Sequence, residues 1–411
     1  MSADSGVRAL YLHLPFCARK CAYCDFASWA TPAGDPLMSA YAHAIEAQLG
    51  EASSLGLFEA CETAYVGGGT PTLLGEKGLG QLVEKVVDAT APSEFTCEAN
   101  PDSLGDEALR AVRGAGATRL SIGVQSLDDD QLYALGRLHD AACARERVTA
   151  AVASGLDVSV DLMCATPTQT PESWARTLEG VISLGVDHVS VYPLQIEEGT
   201  PLDQRFADDP RVWNDPEVQA ERMTQAQASL EAHGYARYEV ASYARAGKEC
   251  RHNKAYWMGL PYLGLGTGAS SMLDVEGYLR LLEVCPQLPA ISVETQRVRF
   301  TVETPRRELA DDPRLCSLSF SLEFLTEPQA VAEDLMLGAR LVEGLRPELV
   351  VRARELFGCR FDDTVDDLLA RGLLAEKSGR LAPTEQGWLL GNELYGPLWD
   401  LAPGEVRSAK C

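Results

Sequence analysis

The sequence predicts an α/β chain: a parallel sheet of six strand–helix units forming a barrel or partial barrel, followed by a smaller helical domain. Three observations point there. Short β-type runs alternate with helix-periodic stretches through the first half. Five of the six runs end in polar or glycine-rich residues, where parallel sheets carry their reactive groups. Beyond about residue 325 helical periodicity takes over.

The β-type runs are Ala9–Leu14, Thr63–Val66, Glu94–Glu98, Arg119–Val124, Val158–Leu162 and His188–Tyr192. They are rich in Val, Ile, Thr and Tyr and bounded by Gly, Pro or Asp. Between them, Leu79, Leu82, Val83, Val86 and Val87, and again Trp174, Leu178, Val181 and Ile182, recur at helical spacing. Thr170-Pro171 reads as a helix start, with threonine at the N-cap and proline in the first turn. Parallel strands need crossover helices, so the succession implies one parallel sheet. Residues 1–273 are assigned to this barrel. Residues 274–324 read as a β-rich connecting region containing Val298–Val302 and Leu318–Leu322. Residues 325–411 read as a helical, winged-helix-like domain, with a helix through Asp366–Leu374 and then a strand after Gly379.

Composition narrows the function. The 411 residues include 36 Lys+Arg and 60 Asp+Glu, a formal charge of −24. Nucleic acid and anionic lipid are poor partners for such a surface, because phosphate binding needs clustered cations. The carboxyl-terminal 87 residues carry 10 basic and 15 acidic side chains, which favours a structural or docking role over reading DNA. The polar start Met1–Gly6 and the absence of a long apolar run predict a cytoplasmic protein. In that compartment 12 cysteines read as thiols or metal ligands, not disulfides.

Cys17, Cys21 and Cys24 place three thiols within eight residues at the end of the first strand. A structural zinc site closes with four ligands, and no second CxxC is present. Three cysteines on one loop can instead hold three irons of a [4Fe-4S] cube, leaving the fourth iron open to a small molecule. The other nine cysteines, such as Cys61, Cys143 and Cys316, read as small buried hydrophobes, with Cys250 an outside candidate for a ligand.

CxxxCxxC with an aromatic before the third cysteine resembles the radical S-adenosylmethionine enzymes. That resemblance implies a [4Fe-4S] cluster whose open iron chelates S-adenosylmethionine, and a reductant whose electron releases a 5′-deoxyadenosyl radical. Further motifs occur in order: Tyr11-Leu-His-Leu-Pro-Phe-Cys17, Gly67-Gly-Gly-Thr-Pro-Thr, Cys97-Glu-Ala-Asn-Pro, Ser121-Ile-Gly-Val-Gln-Ser and Ala134-Leu-Gly-Arg-Leu-His. Together they resemble the oxygen-independent coproporphyrinogen III oxidase family across essentially the whole chain, implying a partial (β/α)6 TIM-like barrel of the radical S-adenosylmethionine type.

Position by position, the resemblance implies a cofactor cradle. Tyr11 would flank S-adenosylmethionine, and Gly68, Gly69 and Thr70 would let backbone approach its amino group. Glu98 would contact polar groups, Gln125 and Arg137 would lie near the sulfonium and carboxylate, and Asp161 would accept from ribose hydroxyls. Read singly, Gly67–Gly69 is also a tight βα turn, and Glu98 or Asp161 could each be a helix cap. One stretch departs from the family pattern: Ala165 and Thr168 stand where relatives carry glycine, so a turn needing positive φ at Thr168 would be strained.

Within the family the decarboxylating enzymes carry a further cysteine two residues after the third. This chain has Cys24-Asp25-Phe26, with only sixteen residues before Cys17. Both features resemble the heme chaperone branch. So does His252-Asn253-Lys254-Ala255-Tyr256-Trp257: imidazole can supply an axial iron ligand, and Tyr256 and Trp257 offer flat faces to a porphyrin. Asn253 would orient the histidine, although a packed loop with Trp257 in the core reads equally well from the residues alone. Local cations such as Arg251 or Lys254 would offset the field of the acidic chain for heme propionates. The branch implies a heme-binding and trafficking protein that delivers heme to membrane respiratory proteins, peripheral at the membrane through that partner, with a homodimer as one arrangement. Oxidative decarboxylation of coproporphyrinogen III, or heme modification by the radical, are the enzymatic alternatives.

Overall fold

The computed structural model describes residues 6–207, 214–402 and 404–411; the polar Met1–Ser5 stretch lies outside the described residues. Six parallel strands run β1 (Ala9–Leu14), β2 (Thr63–Gly68), β3 (Glu94–Ala99), β4 (Arg119–Gln125), β5 (Asp157–Cys164) and β6 (His188–Pro193). They pair in sequence order, β1 to β6. Beyond β6 the sheet continues antiparallel into β7 (Ala236–Arg237) and β8 (Ser242–Ala244), with β8 next to β6. Beyond β1 it continues through β9 (Tyr262–Leu265), β10 (Ser270–Asp274), β11 (Thr295–Val302), β12 (Phe320–Thr326) and β13 (Arg407–Lys410). The chain forms the partial α/β barrel that the sequence predicts, with each β-type run lying inside an observed strand.

Alternation along each strand sorts the side chains. Leu10, Leu12, Val66, Phe95, Ile122, Val160 and Val189 are fully buried in the continuous apolar core. Their neighbours along each strand form the opposite face: the register sets Tyr11 beside Tyr65, Glu98 beside Ser121, and Asp161 beside Ser190. The interior is therefore polar and aromatic, and its upper end carries the site.

The helix Pro171–Ser183 starts as predicted. Thr170 and Ser173 form a reciprocal capping box, and Pro171 occupies the first turn. The loop before it carries the predicted strain, with φ of 54° at Ala165 and 66° at Thr168. Gln169 holds this loop, accepting from the Ala165 amide at 2.8 Å and donating to the Met163 carbonyl at 3.3 Å.

Residues 274–324 contain two helices, Val275–Val284 and Arg306–Asp311, as well as strands. A second apolar core, including Leu335, Leu345, Phe361, Leu368 and Leu394, lies under the helices that follow. There the helix Cys359–Ala370 leads into a hairpin of Leu374–Lys377 and Arg380–Pro383. Arg297 on β11 grips Asp334 with two bonds of 2.8 and 2.9 Å, tying the helix Glu327–Gly338 to the sheet. No described helix is long and apolar enough to cross a membrane.

A β-branched residue in the left-handed region costs about 1–2 kcal/mol, which glycine avoids. Thr168 is exposed. Thr168→Gly is therefore expected to raise the urea midpoint, relief of about 1–2 kcal/mol of strain exceeding the roughly 0.5–1 kcal/mol that glycine costs in chain entropy, whereas Thr168→Val should bring no gain. A Thr168→Gly midpoint below the parent value would contradict a strain of that size at Thr168.

Candidate functional site

Cys17 ends a two-residue strand, Phe16–Cys17, paired in parallel with Trp29–Ala30. This pairing closes the cysteine loop at its base, and the Ala22 amide donates to the Leu135 carbonyl at 3.0 Å. Cys17, Cys21 and Cys24 line one pocket with Gly68, Gly69, Thr70, Glu98, Gln125, Arg137 and Asp161. Of the residues expected to hold S-adenosylmethionine, Tyr11 lies elsewhere, as do the expected heme residues His252, Asn253, Tyr256 and Trp257.

Backbone packing explains the glycines. A Cβ on Gly69 would stand 2.4 Å from the Phe16 carbonyl oxygen, and one on Gly68 (φ 103°) would stand 2.6 Å from the His13 ring. The Gly68 amide donates to Glu98 Oε2 at 3.2 Å, and the Tyr65 hydroxyl donates to Oε1 at 2.6 Å. Burial outweighs these bonds and raises the Glu98 pKa to about 7. Asp161 is also raised by burial, while the nearby Arg119 and a Ser121 hydroxyl at 3.1 Å favour its charged form.

Arg137 reaches under the cysteine loop. It donates to Cys21 Sγ at 3.2 Å, to Asn100 Oδ1 at 2.6 Å and to the Gly123 carbonyl at 2.6 Å. Burial works against its charge, but Tyr23 and Cys21 outweigh it and raise the pKa. Its Nε is buried without a partner. Asn100 also donates to Thr70 Oγ1 at 2.9 Å, so one amide joins two cradle residues. Asn100 was within reach of sequence reasoning, since it belongs to the Cys97-Glu-Ala-Asn-Pro motif.

These groups fit a three-cysteine cluster with a bound amino acid-nucleoside. Among the described residues no three His, Cys, Asp or Glu side chains are disposed around a single metal ion; a cube takes one thiol on each of three separate irons. The glycine cradle, the buried acids and an orphaned guanidinium nitrogen offer the donors and acceptors that an α-amino acid and ribose need.

A second cavity of about 620 Å³ shares Phe26, Gly68 and Glu98 with this pocket. Tyr11, Tyr256, Trp257, Met272, Met336 and Arg299 also line it. Here the Tyr11 hydroxyl lies 2.9 Å from His13 Nδ1, and both side chains line the cavity. A third cavity of about 450 Å³, lined by Asn253, Glu239 and Trp388, lies across Tyr256 and Trp257, which border both.

The structure places His252 inside the barrel, lining neither cavity. His252 is 1% exposed. Its Nδ1 lies 2.9 Å from Thr63 Oγ1 and its Nε2 lies 3.0 Å from the Tyr256 hydroxyl. Burial, then Arg119, lowers its pKa to about 3, so it stays neutral. With both nitrogens engaged it presents no free ligand atom to either cavity. The helix Arg251–Trp257 is held from outside: Glu94 accepts from the Arg251 amide at 2.9 Å, the His252 amide at 2.9 Å and the Cys250 thiol at 3.5 Å. Cys250 is fully buried.

The expected local cations also face elsewhere. Arg251 donates to Ser93, and Lys254 lies 3.7 Å from Glu343. Among the other cysteines, Cys61, Cys97, Cys164, Cys250 and Cys285 are buried, but Cys143 and Cys316 are only half-buried and Cys359 is exposed.

The radical SAM superfamily model matches residues 11–181. The heme chaperone HemW of Mycobacterium tuberculosis (strain ATCC 25618 / H37Rv) is 34% identical over 397 residues, 95% of this chain and 94% of that protein. The chain belongs to the heme chaperone branch of the radical S-adenosylmethionine family. The heme chaperone HemW of Bacillus subtilis (strain 168) is 31% identical, over 95% of this chain and 98% of its own. In fold, the chain resembles coproporphyrinogen III oxidase (HemN) from Escherichia coli, with a TM-score of 0.73 at 19% identity, covering 97% of this chain and 91% of that one. Membership carries a [4Fe-4S] cluster and S-adenosylmethionine as the family's cofactors, in keeping with the pocket chemistry.

Glu98 makes the pH dependence testable. Its folded pKa lies above its ordinary value of 4.5, so the stability it contributes is fully present below 4.5 and is lost as pH rises through about 7. A cationic ligand needs the carboxylate, so binding below pH 7 must first release its proton. The affinity of cluster-loaded protein for S-adenosylmethionine, measured by anaerobic calorimetry, is expected to fall about tenfold per pH unit below 7. Glu98→Gln should bind more weakly and lose that slope; a slope retained in Glu98→Gln would exclude Glu98 as its source.

Proposed function

We propose that this chain binds heme in the aromatic cavity beside the cofactor pocket and passes it to an acceptor. The observation that carries this reading is the shared wall. Phe26, 65% exposed, stands where the decarboxylating enzymes have cysteine, and it lines both the thiol pocket and the cavity bordered by Tyr256 and Trp257. A porphyrin needs flat apolar faces, and the two rings of the motif supply them. Arg340 lies 5.1 Å from the Trp257 ring centroid, fixing that ring from the side of the carboxyl-terminal residues.

Cys17, Cys21 and Cys24 would hold the cluster, and Gly68, Gly69, Thr70, Glu98, Gln125, Arg137 and Asp161 would hold S-adenosylmethionine. When bound and reduced, that pair supplies one-electron chemistry. The role of the chain is to fix the donors, keep Arg137 charged beside Cys21, and separate this pocket from the cargo by Gly68 and Glu98. Residues 1–273 would carry cofactors and cargo, residues 274–324 would extend the sheet as a connector, and residues 325–411 would serve docking. A reductant for the cluster, a membrane respiratory protein as heme acceptor, a cytoplasmic location with peripheral membrane contact through that acceptor, and a homodimer complete the reading.

Anaerobic titration with heme, followed by visible spectra, tests it. The wild-type chain should give a saturable Soret change. Trp257→Ala, which removes about 1.5 kcal/mol of ring contact, should weaken binding about tenfold and leave the iron–sulfur absorption intact. No Soret change with the wild-type chain would sink the reading. In the same preparation Cys17→Ala should lose the cluster absorption; full retention would refute the ligand assignment.

A further inference from the structure

The His252–Tyr256 pair has a chemistry that the motif's spacing alone does not reveal. Tyr256 lines both cavities and its hydroxyl lies 3.0 Å from His252 Nε2. The other cavity-lining members of the motif are Asn253 and Trp257, an amide and an indole. Neither is a customary heme ligand, whereas tyrosine oxygen is one.

We propose that Tyr256 oxygen is the axial ligand of ferric heme, with His252 the positioning residue that holds a hydrogen bond on it. This deepens the heme-binding reading and rests on it. Neutral imidazole has one donor and one acceptor nitrogen. The 2.9 Å contact of Nδ1 with Thr63 Oγ1 and the 3.0 Å contact of Nε2 with the Tyr256 hydroxyl admit either tautomer; in the one proposed, Thr63 donates to Nδ1 and Nε2–H donates to the Tyr256 oxygen. His252 is sealed by burial and keeps this neutral form. On ligation the phenol O–H bond breaks, an oxygen–iron bond forms and the proton passes to solvent through the cavity. The imidazole proton stays on Nε2 and no electron moves.

Burial raises the Tyr256 pKa well above its ordinary value. The phenol therefore stays protonated until iron binds, and iron(III) must supply the stabilisation of the anion. An anionic oxygen favours the higher charge of ferric over ferrous iron. The site accepts oxidised heme and loosens its hold on reduction. Tyr133, 83% exposed and lining neither cavity, provides the control.

The test is anaerobic titration of cluster-loaded protein with ferric and ferrous heme, read by visible and electron paramagnetic resonance spectra. The wild-type chain should show the charge-transfer bands of phenolate-ligated ferric heme and bind ferric heme at least about tenfold tighter than ferrous. Tyr256→Phe should lose those bands and bring the ratio near one, with cluster absorption and melting temperature retained. Tyr133→Phe should keep both, and His252→Ala should shift the bands without abolishing heme binding. Phenolate bands that persist in Tyr256→Phe, or an imidazole-ligated wild-type spectrum lost in His252→Ala, would overturn the assignment while leaving the heme-binding reading in place. No heme binding by the wild-type chain would overturn both.

Discussion

The carboxylate of Glu94, planted at the start of β3, is the interaction on which the aromatic site depends. The helix Arg251–Trp257 has only seven residues, and Cys250 at its N-cap makes no side-chain capping bond. A helix that short is not stable alone, and its first amides point at nothing of its own. Glu94 receives two of those amides and the Cys250 thiol. A carboxylate at a helix N-terminus is also favoured by the helix dipole. Four residues further along the same strand stands Glu98, about 13 Å away at an extended-strand rise. One strand thus sets the distance between the cofactor cradle and the cargo motif.

Between those two acids the barrel interior is filled by aromatic and imidazole rings. Tyr65 bonds Glu98 through its hydroxyl and lies ring to ring with His252 at 5.1 Å; His252 in turn meets Tyr256 edge-on at 4.9 Å. Each polar atom along this path has a partner, which is the condition for burying it at modest cost. The rings along this path stay uncharged. His252 stays neutral, Tyr256 stays protonated, and Glu98 beside them is poised to ionise near neutral pH. The net charge of −24 consequently says little about the site, which is built from buried groups.

Much of this was legible in the sequence, and the reason is local. Strand runs bounded by turn residues appear within a residue or two of their predicted ends, because alternation and β-branching act over a few positions. The cysteine triplet and the glycine cradle were equally readable, since their chemistry depends on short spacing. Backbone strain at Thr168 followed from a glycine-to-threonine exchange in a turn. What spacing could not reveal was direction. His252 was expected to face a ligand, but its helix is docked by Glu94, 158 residues away, and that docking turns the ring onto Thr63 and Tyr256. Arg251 and Lys254 point outward for the same reason, and the half-buried state of Cys143 and Cys316 depends on helix packing that no local pattern encodes.

The most direct test is the heme affinity of Glu94→Gln in the cluster-loaded chain. An amide at this position keeps one acceptor oxygen and gives up the other, so one helix amide or thiol loses its partner, at about 1.5–3 kcal/mol. If Glu94 positions the cargo helix, heme should bind at least about tenfold more weakly, while cluster content and S-adenosylmethionine affinity match the wild-type chain. Heme affinity within about twofold of wild type would contradict the account, because the aromatic site would then hold its shape without the interaction said to build it.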